Sequence, residues 1–325
     1  MTGSRSVFHE GELEVQRRAG VTREAARVGR SIGAAIPPVA AGFLAAQPFL
    51  VVASVAGDGR VDASVVAGAP GFLAALDATT LRIGAAPPPG DPLLGNVRAT
   101  GTVGLLAIDF AARRRMRANG SAAVAADGAI VVRPDEVFSN CPKYIQARAW
   151  TLDAGGAGGN GADGAGGAGA RVVHEGGVLE PAHRRLIEAA DTFFIATAHP
   201  TAGADASHRG GPPGFVRAPD ERTLVWPDYS GNRMFQTLGN LAVGGRAGLL
   251  FLDFEAGGAL ALGGRAEVDW DPARAGALAG AERAVVFHVD SVRETAGAVP
   301  LSWRFLGPSP FNPEGPPRVA PSPSA

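Results

Sequence analysis

Residues 205–216 read DASHRGGPPGFV, and residues 62–73 read DASVVAGAPGFL. Both begin Asp-Ala-Ser, pass through a Gly/Pro turn and end on a Phe followed by an aliphatic residue. The echo continues downstream. Thr80-Leu81 matches Thr223-Leu224, LGN at 94–96 matches LGN at 238–240, and GLLAIDF (104–110) matches GLLFLDF (248–254). Asp62 and Asp205, Gly71 and Gly214, and Leu81 and Leu224 lie 143 positions apart; Asn96 and Asn240, and Asp109 and Asp253, lie 144 apart. A period this long marks duplication of a whole domain, not a solenoid unit.

Each copy spells the same order of elements. A short helix (PPVAAGFLAA; PAHRRLIEAA) leads into an apolar strand, FLVVASV or TFFIATA. A turn follows, with the Asp-Gly hairpin signal in AGDGR and a looser HPTAGA in the second copy. Then come a strand through DAS, a Gly/Pro turn, a strand at TLRIG or TLVWP, and a loop with a short helix. An apolar strand (TVGLLAIDF; RAGLLFLDF) and a hairpin partner (RMRANGSAAV; LALGGRAEV) close the unit. Many short strands with few helices predict a mainly β protein, one antiparallel barrel per copy.

The bulk properties agree. The chain has 325 residues, enough for two domains with sizeable cores, and 46% hydrophobic residues mark a packed chain. Thirty basic and 31 acidic residues leave a net charge of −1, so no global field draws nucleic acid or an anionic membrane. One cysteine, Cys141, excludes intrachain disulfides and thiolate metal clusters and fits a reducing compartment. The charged opening MTGSRSVFHEGELEVQRR lacks the apolar core of a secretory signal, so the expectation is a cytoplasmic protein. Residues 32–57 carry no charge, but Pro37-Pro38 and Gln47-Pro48 break them into a helix and a strand, not a membrane span.

The expected domains are a first barrel with leading helices (1–149), a Gly/Ala-rich linker (150–178), a second barrel (179–307) and a Pro-rich tail (308–325). The linker has too little side chain to pack and reads as flexible. The opening FHEGELEVQRRAGVTREAARVGRSIG reads as one helix or two packed on the first barrel.

Duplicated domains need the same core, so the informative positions are polar differences. Val65-Val66 of the first copy stands against His208-Arg209 of the second. Ala86, Pro87, Pro89 and Gly90 stand against Tyr229, Ser230, Asn232 and Arg233. Arg209 and Arg233 suit bidentate, charge-assisted bonds to a phosphate, and Ser207, Tyr229, Ser230 and Asn232 add further donors. An exposed strand with solvated arginines and an ordinary DYSGN turn would account for the same residues.

Beyond this point the residues resemble a known family. DASHRGGPPGFV, PDYSGNRMFQTLGNL, RAGLLFLDF with LALGGRAEV, NCPKYIQAR (140–148) and the opening FHEGELEVQRRAGV are similar to flavin-nucleotide-binding relatives of pyridoxamine 5'-phosphate oxidase. The resemblance implies two tandem FMN-binding split barrels that form an internal pseudo-dimer. It implies FMN held without a covalent bond at the interface between barrels. By that resemblance Ser207, Arg209, Tyr229, Ser230, Asn232, Arg233 and Asn240 are cofactor-binding candidates in the second barrel. Lys143, Tyr144 and Gln146 would reach across from the end of the first. The first barrel, lacking the matching polar set, is expected to be a degenerate partner with no flavin of its own. The counterpart of NCPKYIQAR after the second barrel is taken as PLSWRF (300–305), which lacks that polarity.

The implied function is a flavin-dependent oxidoreductase acting on a small molecule or fed by an electron-donor reductase, as a pseudo-dimeric monomer or a homodimer. A non-catalytic flavin, F420 or haem carrier or sensor of the same fold is the alternative. No catalytic residue is named. Cys141 reads as a packing residue, and His208 as a structural strand histidine, a haem ligand or a flavin neighbour. No histidine shows metal-ligand spacing, so no metal is expected.

Overall fold

The computed structural model describes residues 6–153 and 169–314. The expected looseness of the Gly/Ala stretch at 154–168 and of the tail at 315–325 lies outside the described residues. Two helices open the chain, α1 (Glu10–Arg18) and α2 (Thr22–Gly29), followed by α3 (Pro38–Ala45), β1 (Phe49–Val55), β2 (Val61–Ala67), β3 (Leu73–Asp77), β4 (Thr80–Ile83), α4 (Leu93–Ala99), β5 (Thr102–Asp109), β6 (Arg114–Val124) and β7 (Ile130–Asn140). After β8 (Ala147–Leu152) and β9 (Arg171–Gly176) the second copy runs α5 (Pro181–Ala189), β10 (Thr192–His199), β11 (Gly203–Gly210), β12 (Thr223–Asp228), α6 (Gln236–Val243), β13 (Arg246–Leu252), β14 (Ala259–Asp269), α7 (Pro272–Gly276) and β15 (Arg283–Ala296). Strand β16 (Leu301–Gly307) ends the series.

The first sheet has the order β2-β1-β5-β6-β7-β4-β3 and the second β11-β10-β13-β14-β15-β12, with β9 against β15. Replacing each strand by its repeat counterpart turns one order into the other apart from edge strand β3, so the duplicated sequence is a duplicated, mainly β barrel. Each sheet also has a long strand beyond the repeat read from sequence, β7 and β15. Strands β8 and β9 occupy the ends of the 150–178 segment. The hydrophobic segment at 32–57 is α3 and β1, and among the described residues no helix is long and apolar enough to cross a membrane.

Three cores explain the apolar pattern. Leu50, Val52, Leu81, Ile83, Leu105 and Val132 fill the first barrel. Phe193, Trp226, Leu249, Phe251 and Phe287 fill the second. A third core lies between them, where Phe49, Val51 and Leu106 meet Phe194, Ala196 and Leu250. Strand β1 therefore buries both faces, one inside its own barrel and one against the other barrel. That is why FLVVASV is continuously apolar instead of alternating. The close approach also fixes two glycines of the repeat. A Cβ on Gly104 would lie 2.6 Å from the carbonyl oxygen of Ala204, and one on Gly248 would lie 2.7 Å from that of Val61.

The pseudo-dyad is visible where β16 pairs antiparallel with β8, Trp303 opposite Trp150. PLSWRF is thus the counterpart of ARAWTL (147–152), not of NCPKYIQAR: the two copies end on equivalent strands that pair with each other. The opening residues form two helices, and α1 packs on α6 of the second barrel, not on the first. Val15 enters the second barrel's core, and Gln16 Nε2 donates to the Met234 carbonyl at 2.9 Å.

Candidate functional site

A cleft opens where β6 of the first barrel crosses β11 of the second. It holds about 740 Å³ of empty space, including its mouth. Strand β11 supplies Ser207, His208 and Arg209; the loop after β12 supplies Tyr229, Asn232 and Arg233; the first barrel supplies Arg115, Arg117, Asn140, Lys143 and Tyr144.

The charges are unbalanced. Arg117 is buried and paired with Asp205 at 2.8 Å; it also donates to Gln236 Oε1 at 2.9 Å and to the Ser207 hydroxyl. Arg209 donates to Ser207 Oγ at 2.7 Å and to the His208 carbonyl at 3.1 Å. Arg115 donates to His208 Nδ1 at 2.9 Å and touches Cys141 Sγ at 4.0 Å. Among the described residues neither Arg115 nor Arg209 forms a salt bridge. Burial lowers the pKa of both, that of Arg115 to about 10. A half-buried guanidinium with no carboxylate in contact is costly, and an anion in the cleft would relieve it.

Ser207 accepts from two guanidiniums, so its own hydrogen remains free to donate. The first barrel displays what that hydrogen can do. There Ser64, the counterpart of Ser207, donates to Asp91 Oδ1 at 2.7 Å, and Asp91 also accepts from the Leu93 amide at 2.9 Å. Counting back from Asn96 and Asn240, Asp91 stands where the second copy has Phe235. The first copy fills this place with its own carboxylate. Strand register shows a second asymmetry. Arg115 and Arg117 oppose Ile108 and Leu106; the equivalent positions opposite Leu252 and Leu250 are Ala259 and Ala261. At these two positions the second barrel offers the first alanines, not arginines.

Histidine 208 is buried against Phe194 and Phe110, with ring centroids at 5.9 and 6.3 Å. Burial, reinforced by Arg115, depresses its pKa well below the ordinary value, so the ring is neutral. A guanidinium only donates, so Nδ1 is the acceptor and the proton sits on Nε2. Backbone strain gathers here too. Of four non-glycine residues with left-handed φ among those described, Tyr144, Arg233 and Phe235 line the cleft.

The cleft thus gathers Ser207, Arg209, Tyr229, Asn232, Arg233, Lys143 and Tyr144 of the sequence candidates. Ser230 is held at its edge: its carbonyl accepts from Tyr144 Oη at 3.2 Å and its hydroxyl from Arg233 at 3.1 Å. Arg233 is already paired with Glu282 at 2.8 Å. Two candidates lie elsewhere. Gln146 is buried under the chain's end, accepting from the Ser309 amide at 2.8 Å and donating to Asn312 Oδ1 at 3.0 Å. Asn240 donates to Thr197 Oγ1 at 3.0 Å, as Asn96 does to Ser54 Oγ at 3.0 Å in the first barrel, so this bond belongs to the scaffold of both copies.

Sequence comparison of the copies missed Arg115, Arg117 and Asn140, because they are partner-barrel residues. The signal was present in RMRANG, where alternate arginines on one strand face the same way.

The structure also brings His9, Glu10 and His199 together, and His174, Glu180 and His183, each set with candidate atoms within 4.8 Å. Sequence spacing hid both. Several of their nitrogens are engaged, although His174 Nε2 has no partner. His199 Nδ1 accepts from the Ala202 amide at 3.0 Å while Nε2 faces Glu10 at 2.9 Å, and His183 Nδ1 accepts from the Glu180 amide at 3.1 Å.

Residues 179–296, most of the second barrel, match the family model described as pyridoxamine 5'-phosphate oxidase. No curated protein matches the chain. Solved structures similar to it include HupZ of Group A Streptococcus, at 16% identity and TM-score 0.29 over 34% of this chain and 90% of that one. A protein of Clostridium acetobutylicum related to general stress protein 26, of the pyridoxinephosphate oxidase family, is 14% identical over 37% and 89% of the two chains, with TM-score 0.28. An FAD-binding protein of Mycobacterium smegmatis is 12% identical over 37% and 97%, with TM-score 0.28. Within this duplicated chain, it is residues 179–296 that are similar to the pyridoxamine 5'-phosphate oxidase family.

Proposed function

We propose that the chain is an FMN-binding oxidoreductase with one flavin site, held non-covalently between β11 of the second barrel and β6 of the first. The observation that carries this reading is the pair of cleft guanidiniums, Arg115 and Arg209, with no carboxylate in salt-bridge contact among the described residues, beside a Ser207 hydroxyl whose counterpart already donates to a carboxylate. Arg209 and the Ser207 hydroxyl fit a phosphate monoester, and Arg115 adds a second positive charge for the bound flavin in the same partly buried setting.

Bound FMN would supply the electron transfer. The chain's own residues would anchor the phosphate, wall the ring from water with Tyr144 and Tyr229, and hold the cleft positive. Their rings stack tilted, with centroids at 4.9 Å. A positive cleft favours the reduced, anionic form of a flavin. No acid–base pair is then required of the protein. The proton on His208 Nε2 leaves no lone pair for iron, which speaks for a flavin over haem held by that residue. The single thiol fits a reducing, cytoplasmic setting.

The test is the visible spectrum of the purified protein and a titration with FMN. A flavin spectrum is expected from the wild type, and Arg209→Ala is expected to bind FMN about 10- to 100-fold more weakly, the loss of one charged hydrogen bond. A wild type that binds no flavin under any loading condition overturns the reading. A single absorption band near that of a deazaflavin would move it to F420.

A further inference from the structure

Asn140 ends β7 opposite Arg115 on β6, and it lines the cleft from the first-barrel side. Both polar atoms of its carboxamide, Oδ1 and Nδ2, are dry, and neither has a hydrogen-bond partner. Such a group is a defect unless something completes it, because a buried amide keeps both a donor and an acceptor to satisfy. The neighbouring Arg115 Nε is equally dry and unpartnered.

We propose that Asn140 reads the imide edge of the flavin, its NH2 donating to a ring carbonyl and its oxygen accepting from N3–H. The inference rests on the flavin reading above and goes beyond it, since it says which end of the ligand meets the first barrel. A carboxamide offers a donor and an acceptor side by side in one plane. Its complement is a planar N–H next to a C=O. The phosphate cannot serve, because at neutral pH it only accepts and would leave Oδ1 unsatisfied. The isoalloxazine ring has one such edge, N3–H between two carbonyls. Arg115, directly across the strand pair, then faces the same pyrimidine end and places its positive charge there. The phosphate end is left to Arg209 and Ser207 of the second barrel. The two barrels thereby divide the ligand between them.

The test uses the full-length protein, freed of bound flavin and titrated with FMN and with FMN methylated at N3. The methyl group removes the N3–H and leaves the phosphate unchanged. Wild type is expected to bind FMN at least about tenfold more tightly than the N3-methyl analogue, the effect of one unpaired buried polar group. Asn140→Ala is expected to bind both with similar, weakened affinity, with an unchanged circular dichroism spectrum as its folding control. Equal wild-type affinities for the two flavins overturn the assignment and leave the flavin reading intact. A preference for FMN that survives in Asn140→Ala moves the imide contact to another residue and overturns it as well. Absence of FMN binding by the wild type removes the flavin reading itself.

Discussion

At the residue scale, the network behind the cleft sets a pH dependence. Glu12 of α1 is buried, and its carboxylate accepts from the His9 amide at 2.8 Å as part of a capping box. Burial, reinforced by Glu136 and Asp205, pushes its pKa up to about 8; Arg117 acts in the opposite sense. The unfolded chain would titrate this group near 4.5. Between those values the folded state holds a proton that the unfolded state has lost, so this group's contribution falls as pH rises from about 4.5 to about 8. Glu12→Gln keeps an acceptor for the cap and removes the charge. We expect it to flatten the stability–pH curve in that window and to gain most over wild type near pH 8, read from urea midpoints. A parallel slope in wild type and variant would assign the titration to another group. None of this was legible in HEGELEVQ, because burial of Glu12 follows from where α1 docks, and that docking is a long-range contact with α6.

At the scale of elements, the interface between barrels depends on β5 and β13 lying almost against β11 and β2. Gly104→Ala would drive a methyl group into the Ala204 carbonyl, with backbone rather than flexible side chain as the obstacle. The expected cost is about 1 to 3 kcal/mol, seen as a lower urea midpoint. Gly248→Ala should cost a similar amount, since it meets the Val61 carbonyl across the pseudo-dyad. An unchanged midpoint in both would mean that the barrels do not pack this closely. Here the sequence was informative, since GLL recurs in both copies at the right spacing. It also told correctly that FLVVASV and TFFIATA are strands, because runs of β-branched and aromatic residues between turn signals have few other solutions. It did not give β7 as part of the repeat: IVVRPDEVFSN carries Pro134 and charges, and its register shifts between Asn119 and Gly120 of β6, so alternation is interrupted. The second-barrel half of the site was legible as polar differences between copies. The half from β6 and β7 was not, because its residues come from the other barrel, and one-to-one comparison of copies cannot show what crosses between them.

At the scale of the whole molecule, duplication within one chain has let the two barrels diverge where a homodimer could not. In a homodimer any arginine on β6 serves both sites. Here Arg115 and Arg117 serve the second barrel, while Ala259 and Ala261 stand in their places opposite the first. In the first barrel Asp91 takes the Ser64 hydrogen bond, and burial lifts its carboxyl pKa to about 6. The covalent link adds effective concentration, but the fold does not depend on it for geometry: the shared core of Phe49, Leu106, Phe194 and Leu250 and the β8–β16 pairing already join the halves. We therefore expect a protein carrying a protease site inserted within residues 154–168 to stay a single species on gel filtration after complete cleavage. On the flavin reading it should also bind FMN as the uncut protein does, because every cleft residue lies outside the cut segment. Separation of the fragments at micromolar concentration would show that the linker, and not the third core, holds the two barrels together. Co-elution with lost FMN binding would show instead that the junction sets the alignment of β6 against β11.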